Sequence, residues 1–244
     1  MAHTSNQSAV RIRGLSAGYA RRTVLHQVTA ELPRAKVTAI VGPNGSGKST
    51  LLGVLAGVIA PAAGDVEIGT RRPAFVVRHG AVPAGLPMTV WETVAMGRWA
   101  HRGRWRRLSN QDRSLVASCL ERMGIDDLAQ RRLSSLSGGQ RQRALLAQAF
   151  AQESDLLLLD EPDAGLDAQA RHDISAAITH ASAGGVTVVC VTHDLGAASN
   201  ADHCLLLQDG RLVAEGGPRD VLAIDADRRL GRGGASGGIV ATEA

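Results

Sequence analysis

Apolar and polar positions along the chain follow two patterns, and each predicts a different kind of strand. The runs VRIRGL and VLHQVTAEL alternate in polarity, which is typical of strands with one face in water. Three continuous apolar runs, at Lys36–Val41, Asp155–Asp160 and Val186–Thr192, are of the kind that is buried on both faces of a parallel sheet. Helical segments such as DAQARHDISAAITHAS lie between these runs. The pattern therefore predicts an α/β fold with a parallel core.

The middle and the end of the chain depart from this alternation. Residues from about Met88 to Phe150 contain helical segments without a convincing strand, which predicts a helical subdomain inserted into the α/β core. The main domain is expected to extend from Val10 to Leu222. The glycine-rich tail, which ends in DRRLGRGGASGGIVATEA, predicts disorder for residues 223–244.

Composition narrows the classes of function. The 244 residues carry a formal net charge of +4, which suits either simple solubility or an anionic membrane surface. Aromatic residues make up 2% of the chain, fewer than proteins that stack single-stranded nucleic acid usually need. The longest apolar stretch, Leu51–Ala60, is far shorter than the roughly 20 residues that span a bilayer, and no apolar signal segment stands at the N-terminus. Any membrane role is therefore expected to act through a partner.

Cysteine and histidine residues give no metal-site pattern. The three cysteines are odd in number and fit no metal-ligand spacing, which predicts reduced core thiols in a cytosolic protein. The scattered residues His79, His101 and His172 have no spacing suited to a tetrahedral site. The chain itself is therefore expected to bind no transition metal.

The segment GPNGSGKST follows a predicted strand and opens a predicted helix. It matches the pattern G-x-x-x-x-G-K-[ST], in which glycines let backbone N–H groups wrap the phosphates of a nucleotide. Lys48 is expected to reach the β- and γ-phosphates, and the hydroxyl group of Ser49 is expected to ligate Mg²⁺. The predicted ATP-binding residues of this segment are Gly42, Pro43, Asn44, Gly45, Ser46, Gly47, Lys48, Ser49 and Thr50.

Two acidic residues and a histidine follow the other apolar strands. Asp160 and Glu161 lie at the carboxyl end of a predicted strand, where ligands bind in open α/β sheets. Asp160 is expected to hold Mg²⁺ and Glu161 to polarise the attacking water as a general base. His193 ends the next apolar strand and is expected to reach the γ-phosphate. Without the phosphate loop upstream, a surface acidic pair and a structural histidine would be the simpler interpretation.

A second anion-binding helix start is predicted in LSGGQRQRALLAQAF, because small residues there leave the first backbone N–H groups open. These segments, in this order, resemble the ATP-binding cassette (ABC) ATPases over about Val10–Leu222, and LSGGQ is the most specific of them. The resemblance implies a P-loop NTPase cassette with a RecA-like parallel core, an antiparallel β subdomain and an inserted helical subdomain. It also implies ATP hydrolysis.

The resemblance assigns further positions. In that family two cassettes bind head to tail, and each ATP lies between the phosphate loop of one and the signature of the other. It therefore implies a homodimer, or a pair with a related subunit. Tyr19 stands where an aromatic ring stacks on adenine, and Asp167 matches the loop that connects the two sites. Glu161 matches the catalytic base and His193 the switch histidine. The signature residues, expected to serve the ATP of the opposite subunit, are Leu136, Ser137, Gly138, Gly139 and Gln140.

One position departs from the family pattern. The family has a glutamine after the strand that PAFVV predicts, where it touches Mg²⁺ and the water, but this chain has Arg78 there. No glutamine occurs between Gln27 and Gln111, so a shifted alignment does not recover it. An arginine always carries a positive charge and cannot ligate a metal ion, although it can contact phosphate. ATP binding is therefore expected to survive, with altered metal-site geometry, turnover or coupling to the partner.

The segment from LPMTVWETVAMGR to LSNQD resembles importers of metals and metal chelates, and more the zinc and manganese branch than the siderophore or vitamin B12 branch. Its basic residues predict either a solvated surface or a contact with a permease or anionic lipid headgroups. In importers of this type an extracytoplasmic binding protein and the permease handle the ion. The basic residues are Arg98, Arg102, Arg104, Arg106 and Arg107.

These observations predict a cytosolic ATPase subunit at the inner face of a cell membrane. It is expected to power the import of a divalent metal ion, zinc or manganese, through a membrane permease, without binding nucleic acid. A siderophore or haem importer subunit remains an alternative. Less favoured are an exporter, a soluble ABC protein of translation or DNA repair, and a nucleotide-binding regulator with little hydrolysis.

Overall fold

The computed structural model describes residues 8–20, 22–69, 72–77, 87–102 and 107–233. The strands are β1 (Ser8–Tyr19), β2 (Arg22–Pro33), β3 (Val37–Val41), β4 (Ala63–Ile68), β5 (Ala74–Val76), β6 (Leu156–Asp160), β7 (Thr187–Val191), β8 (His203–Gln208) and β9 (Arg211–Gly216). The α-helices are α1 (Lys48–Leu55), α2 (Val90–Ala95), α3 (Trp99–Arg102), α4 (Asn110–Arg122), α5 (Gly138–Phe150), α6 (Ala168–Ala183), α7 (Leu195–Ser199) and α8 (Pro218–Gly233). Short 3₁₀ turns lie at Met96–Arg98, Asp126–Leu128 and Leu133–Ser135.

The central sheet has six strands in the order β5-β6-β7-β3-β8-β9. The first five are parallel, and β9 pairs antiparallel with β8 at the edge. Strands adjacent in the sheet are mostly distant in sequence, so helices must connect them across its faces. The predicted α/β fold with a parallel core is therefore confirmed.

Strand β6 shows why the apolar runs are continuous. Leu157 and Leu159 face a core that they share with the helical segments, and both are at most 2% exposed. Leu156 and Leu158 point the other way, into a core that they share with α1 and the antiparallel sheet. Successive side chains of a strand point to opposite faces, so a strand covered on both sides needs apolar residues at every position.

A separate antiparallel sheet has the order β2-β1-β4. On β1 the buried positions Val10, Ile12 and Leu15 are fully inaccessible, whereas Arg11 points outward and its guanidinium group pairs with the carboxylate of Glu31 at 2.9 Å. One face of this sheet is thus apolar and the other is charged, as the alternating sequence pattern predicts.

The segment between β5 and β6 is helical in its described part. Its helices start at serine and threonine caps: Thr89 begins α2 and Ser109 begins α4, each in a reciprocal capping box with the residue three positions later. Such caps satisfy backbone N–H groups that have no partner within the helix. Helices α2, α4 and α5 pack on one another, and α5 also contacts β5 at the edge of the central sheet.

The expected disorder after Leu222 is wrong for residues 223–233, which continue helix α8. Val221 is 1% exposed and packs beside β8 and α7, and Asp225, one turn later, is 5% exposed and pairs with Arg229 at 2.6 Å. The prediction of disorder rested on the glycine-rich composition, which begins only at Gly231, and did not take account of this buried face. The remainder of the predicted tail, residues 234–244, lies outside the described residues.

No helix within the described ranges is both long enough and apolar enough to cross a lipid bilayer.

Candidate functional site

The carboxyl ends of three neighbouring strands bring the predicted site residues to one edge of the central sheet. In the strand register Val191 of β7 lies beside Ile40 of β3 on one side and beside Asp160 of β6 on the other. The phosphate loop follows β3, Glu161 follows β6, and His193 follows β7. Residues that are separated by more than a hundred positions in sequence therefore meet at this edge, as open parallel sheets allow.

The phosphate loop has the backbone of an anion cradle. Gly42, Gly45 and Gly47 have φ angles of 139°, 78° and 101°, which side-chain-bearing residues rarely adopt. A Cβ atom at Gly47 would lie 2.6 Å from Cδ2 of Leu25. Gly47 caps α1 without a side-chain hydrogen bond, so the helix start leaves backbone donors for an anion.

Lys48 lies within this loop rather than on the surface. The residue is 5% exposed, and its Nζ atom donates to the carbonyl oxygens of Gly42 and Pro43, each at 2.9 Å. This places a positive charge inside the loop, which favours an anion at this position. The donor set suits the phosphates of a nucleotide.

Ser49 and Asp160 bring two oxygen ligands together. The Oγ atom of Ser49 donates to the Oδ1 atom of Asp160 at 3.2 Å, although 111 positions separate them in sequence. Hydroxyl and carboxylate oxygens are hard ligands of the kind Mg²⁺ takes beside phosphate oxygens. The pair therefore fits a magnesium ion. Within the described residues no group of three or more histidine, cysteine, aspartate and glutamate side chains could hold a metal.

Glu161 and His193 are in direct contact at the sheet edge. The Nε2 atom of His193 lies 2.7 Å from the Oε1 atom of Glu161, and Glu161 is 6% exposed. Glu161 has a φ of 47°, and its N–H donates to the carbonyl oxygen of Val191. Sparsely populated backbone conformations cluster at functional sites. This arrangement holds a carboxylate and an imidazole ring at the sheet edge beside the phosphate loop.

Tyr19 lies at the end of the β1–β2 hairpin. It pairs with Arg22 across the turn and is 56% exposed. Two residues earlier Ala17 pairs with Leu25, the residue that packs against Gly47. The hairpin therefore carries the exposed aromatic ring to the neighbourhood of the phosphate loop.

The predicted signature starts helix α5 and packs beside the Asp167 loop of the same chain. Ser137 caps α5: its Oγ accepts from the Gln140 N–H, and the Gln140 Oε1 accepts from the Ser137 N–H. A Cβ atom on Gly139 would lie 3.2 Å from the Cβ atom of Ala170. Asp167 caps α6 by accepting from the Ala170 N–H at 2.8 Å. Two helix starts thus lie side by side.

For Arg98 the prediction of a basic surface is wrong, whereas Arg107 is exposed. Arg98 is 8% exposed, and its guanidinium group donates to Asp112 at 2.9 Å, to the Ala151 carbonyl at 2.8 Å and to Glu153 at 2.7 Å. It therefore holds helices of the inserted segment together. Arg78, His79, Arg104 and Arg106 lie outside the described residues.

The three cysteines are buried thiols, as predicted. Burial raises the pKa of Cys119 and of Cys204 to about 11, and it also raises the pKa of Cys190. Thiols held in the neutral form are poor nucleophiles and poor metal ligands.

Sequence reasoning missed one group of residues around Glu161. Asp163, Arg171 and Asp194 line the same cleft as Glu161 and His193. Burial raises the pKa of the Asp163 carboxyl, and the nearby carboxylates of Asp194 and Glu161 raise it further. The available signal was the position of Arg171, one helical turn after Asp167.

This fold and this phosphate loop define a P-loop nucleotide-binding protein. The family model described as ABC transporter matches residues 25–164, more than half of the chain. The chain therefore belongs to the ABC transporter family and is one of its ATP-binding ATPase subunits.

The individual similarities extend over nearly the whole chain. It is 40% identical to the hemin import ATP-binding protein HmuV of Nocardia farcinica, over 91% of this chain and 82% of the relative. It is 33% identical to the manganese transport system ATP-binding protein MntB of Bacillus subtilis strain 168, over 88% of this chain and 89% of the relative. A solved ABC transporter of metal-chelate type, in an inward-facing conformation, matches with a TM-score of 0.79 and 31% identity, covering 88% of this chain and 85% of that one.

Proposed function

We propose that this chain hydrolyses ATP in a site completed by a second cassette and thereby drives metal uptake through a membrane permease. The observation that carries the catalytic part is the 2.7 Å contact between Glu161 and His193 at the sheet edge that also holds the phosphate loop. Glu161 is the proposed general base for the attacking water. His193 orients the Glu161 carboxylate and contacts the γ-phosphate.

Nucleotide and metal binding are assigned to the phosphate loop and to Asp160. Backbone N–H groups of residues 42–50 bind the phosphates, and Lys48 supplies the positive charge. Ser49 and Asp160 would hold a magnesium ion, which neutralises charge on the β- and γ-phosphates. Their existing contact supports this assignment because the two ligands need little rearrangement.

The second half of each ATP site is assigned to a partner cassette. The start of α5 presents Ser137 and the backbone N–H groups after it, and an anion at a helix start is favoured by the helix dipole. Head-to-tail pairing of two copies would place this start against the phosphates bound by the other copy. Tyr19 would stack on adenine, and Asp167 would connect the two sites.

The catalytic assignment is tested with Glu161→Gln and His193→Ala. Both variants are expected to bind a fluorescent ATP analogue normally. General-base catalysis contributes about 10²–10⁴-fold, so turnover of Glu161→Gln should fall by that order. Glu121→Gln, at an exposed position on α4, is the matched control and should keep full activity. Wild-type turnover in Glu161→Gln would overturn the assignment.

Arg78 is proposed to alter turnover or coupling because it replaces the glutamine expected at that position. Arg78→Gln is therefore expected to change the ATPase rate or transport while leaving ATP affinity unchanged. Unchanged hydrolysis together with unchanged transport would show that the departure has no consequence.

Zinc or manganese is the proposed cargo, with the chain bound to a permease at the cytoplasmic face of the membrane and an extracytoplasmic binding protein delivering the ion. The similarity to a manganese transport protein supports this proposal. An iron chelate such as haem is a second candidate, and the 40% identity to a hemin import protein favours it.

Metal content of cells separates the two cargoes. Cells with the intact gene are compared with cells carrying Lys48→Ala in metal-limited medium, and zinc, manganese and iron are measured by mass spectrometry. A selective fall in zinc or manganese supports the first candidate. A fall in iron alone supports the second, accumulation of one metal would mean export, and no change would refute metal uptake. Membrane recruitment only when a permease is co-expressed would support the partner assignment.

A further inference from the structure

A cleft of about 310 Å³ beside Glu161 collects three carboxylates. They belong to Glu161, Asp163 and Asp194, and His193 lines the same cleft. Among the described residues that line it, Arg171 is the one lysine or arginine. Arg171 opposes the rise in the pKa of Asp163 that burial and the two other carboxylates cause. A single guanidinium group therefore offsets the negative charge around the proposed catalytic pair.

The two carboxylate oxygens of Asp194 have different partners. Its Oδ1 atom accepts from the N–H groups of Gly196 at 2.7 Å and Ala197 at 3.2 Å, which caps helix α7. Its Oδ2 atom lies 3.7 Å from Nη1 of Arg171. The N–H of Asp194 also donates to Oγ1 of Thr192 at 3.0 Å. Thr192 and Asp194, on either side of His193, are thus held in place. Arg171 contributes the contact that comes from helix α6.

Arg171 also connects this loop with the start of α6. Its N–H donates to the carbonyl oxygen of Asp167 at 3.1 Å in the first turn of that helix. Arg171 therefore links the two helix starts, through its backbone N–H at Asp167 and its guanidinium group at Asp194. His193, immediately before Asp194, meets Glu161 at 2.7 Å.

We propose that Arg171 is a positioning residue for ATP hydrolysis: by holding Asp194 it keeps the His193 imidazole against the Glu161 carboxylate. The inference rests on the proposed roles of Glu161 and His193. Arg171 touches neither of the reacting groups in this scheme and acts through the loop. The ion pair between Arg171 and Asp194 is partly exposed, with side chains 47% and 40% accessible, so its contribution to the rate of hydrolysis is expected to be small.

The experiment compares steady-state ATP hydrolysis of Arg171→Gln and Arg171→Lys with that of the intact chain. We expect kcat to fall roughly three- to fivefold in Arg171→Gln, the size allowed to one exposed ion pair, while KM for ATP stays within about twofold. Arg171→Lys keeps the charge and should recover most of the loss. Arg13→Gln removes a comparably exposed pair, with Glu67 in the antiparallel sheet, and is the matched control.

Three results would overturn the proposal: an unchanged kcat in Arg171→Gln, an effect confined to KM, or an equal loss in the lysine variant together with a lower thermal midpoint. The last would mark a purely structural role. Failure of the proposed function is distinguishable, because it appears as undiminished hydrolysis in Glu161→Gln and His193→Ala. If those variants lose hydrolysis and Arg171→Gln does not, only the positioning role fails.

Discussion

Helices α1 and α5 both follow a small capping residue, but their first turns are completed differently. Gly47 caps α1 with a φ of 101° and offers no side-chain hydrogen bond to the helix. Ser137 caps α5 in extended geometry and forms a reciprocal capping box with Gln140. Orphan backbone donors thus stay available in the first helix, while side chains satisfy part of them in the second.

The two helix starts also differ in burial and charge, and both differences favour an anion at α1. Around α1, Ser46 and Lys48 are at most 5% exposed, and the turn after β8 closes over the loop through a bond from the Gly210 N–H to the Ser46 carbonyl. At α5, Ser137 is exposed and Gly138 is half-buried. One start is a cradle with its own cation, and the other is a surface. Charge and burial therefore favour an anion at the start of α1 more than at the start of α5.

Replacing Lys48 with alanine should have the largest effect because it removes the cation from the complete cradle. Hydrogen bonds to charged groups are worth about 1.5–3 kcal/mol, so ATP affinity should fall about ten- to a hundredfold, and hydrolysis with it. Affinity is measured by titration with a fluorescent ATP analogue.

The chain supplies a matched control for Lys48→Ala in its only other lysine. Lys36 has an exposed side chain and pairs with Asp202 at 3.0 Å at the other end of β3. Lys36→Ala should leave ATP affinity unchanged. Equal losses in the two variants would show that Lys48 acts through general stability and not as the phosphate cation.

Replacing Ser137 with arginine should separate the two helix starts. A bulky cation at the exposed start of α5 should leave ATP binding within about twofold of the intact chain, because the cradle at α1 is untouched. Hydrolysis should fall to background, because the proposed closure against a second copy is blocked. The measurement pairs ATP affinity with turnover at a protein concentration that permits dimerisation.

Ser134→Arg is the control for that experiment, since Ser134 is exposed one helical turn before the capping residue. It should retain most of the activity. Full hydrolysis in Ser137→Arg would argue against a composite site and would leave the start of α5 with a structural role only.

Replacing Gly47 or Gly139 with alanine should show that the backbone needs glycine more strictly at the start of α1 than at the start of α5. Gly47→Ala places a side chain in a left-handed conformation and against Leu25, so the free energy of unfolding should fall by about 1–3 kcal/mol. At Gly139 the helix gains up to about 1 kcal/mol of propensity, which offsets a tight 3.2 Å contact with Ala170. Chemical denaturation measures both. A larger loss at Gly139 would contradict this account.

Local sequence patterns predicted the strands and helices whose structure is determined by neighbouring residues in the sequence. Strands β3, β6 and β7 lie within one residue of the predicted apolar runs at each end, because a strand covered on both faces must be apolar throughout, whereas the buried strand β8 was not predicted. The helix from Lys48 follows a glycine-rich turn whose geometry its composition dictates. The catalytic and binding roles of the site residues stay predictions.

Long-range pairing is what sequence reasoning could not supply. Arg98 belongs to a basic run, and its burial depends on Asp112 of α4 and on Glu153 in the turn after α5. The link from Arg171 to Asp194 likewise depends on how α6 packs against the loop after β7. For α8, one buried face outweighed a composition that favours disorder, because burial of Val221 depends on the sheet beside it.

Replacing Tyr19 should have the smallest effect on ATP affinity. It tests whether the adenine is bound on the side of the α1 helix start. Leu25 packs against Gly47 and pairs with Ala17, so the exposed ring belongs structurally to the α1 side. Stacking on a base is worth about 1–3 kcal/mol, and at this exposed position we expect the lower end, about fivefold weaker ATP binding in Tyr19→Ala.

Tyr19→Phe keeps the ring and should bind ATP within about twofold of the intact chain, whereas inorganic triphosphate, which has no base, should bind Tyr19→Ala and the intact chain equally. Trp99→Ala, at another exposed aromatic side chain, is the control and should not change affinity. An equal loss for triphosphate would mean that the hairpin supports the cradle rather than the adenine. The contribution of Tyr19 would then pass through Leu25 to the start of α1.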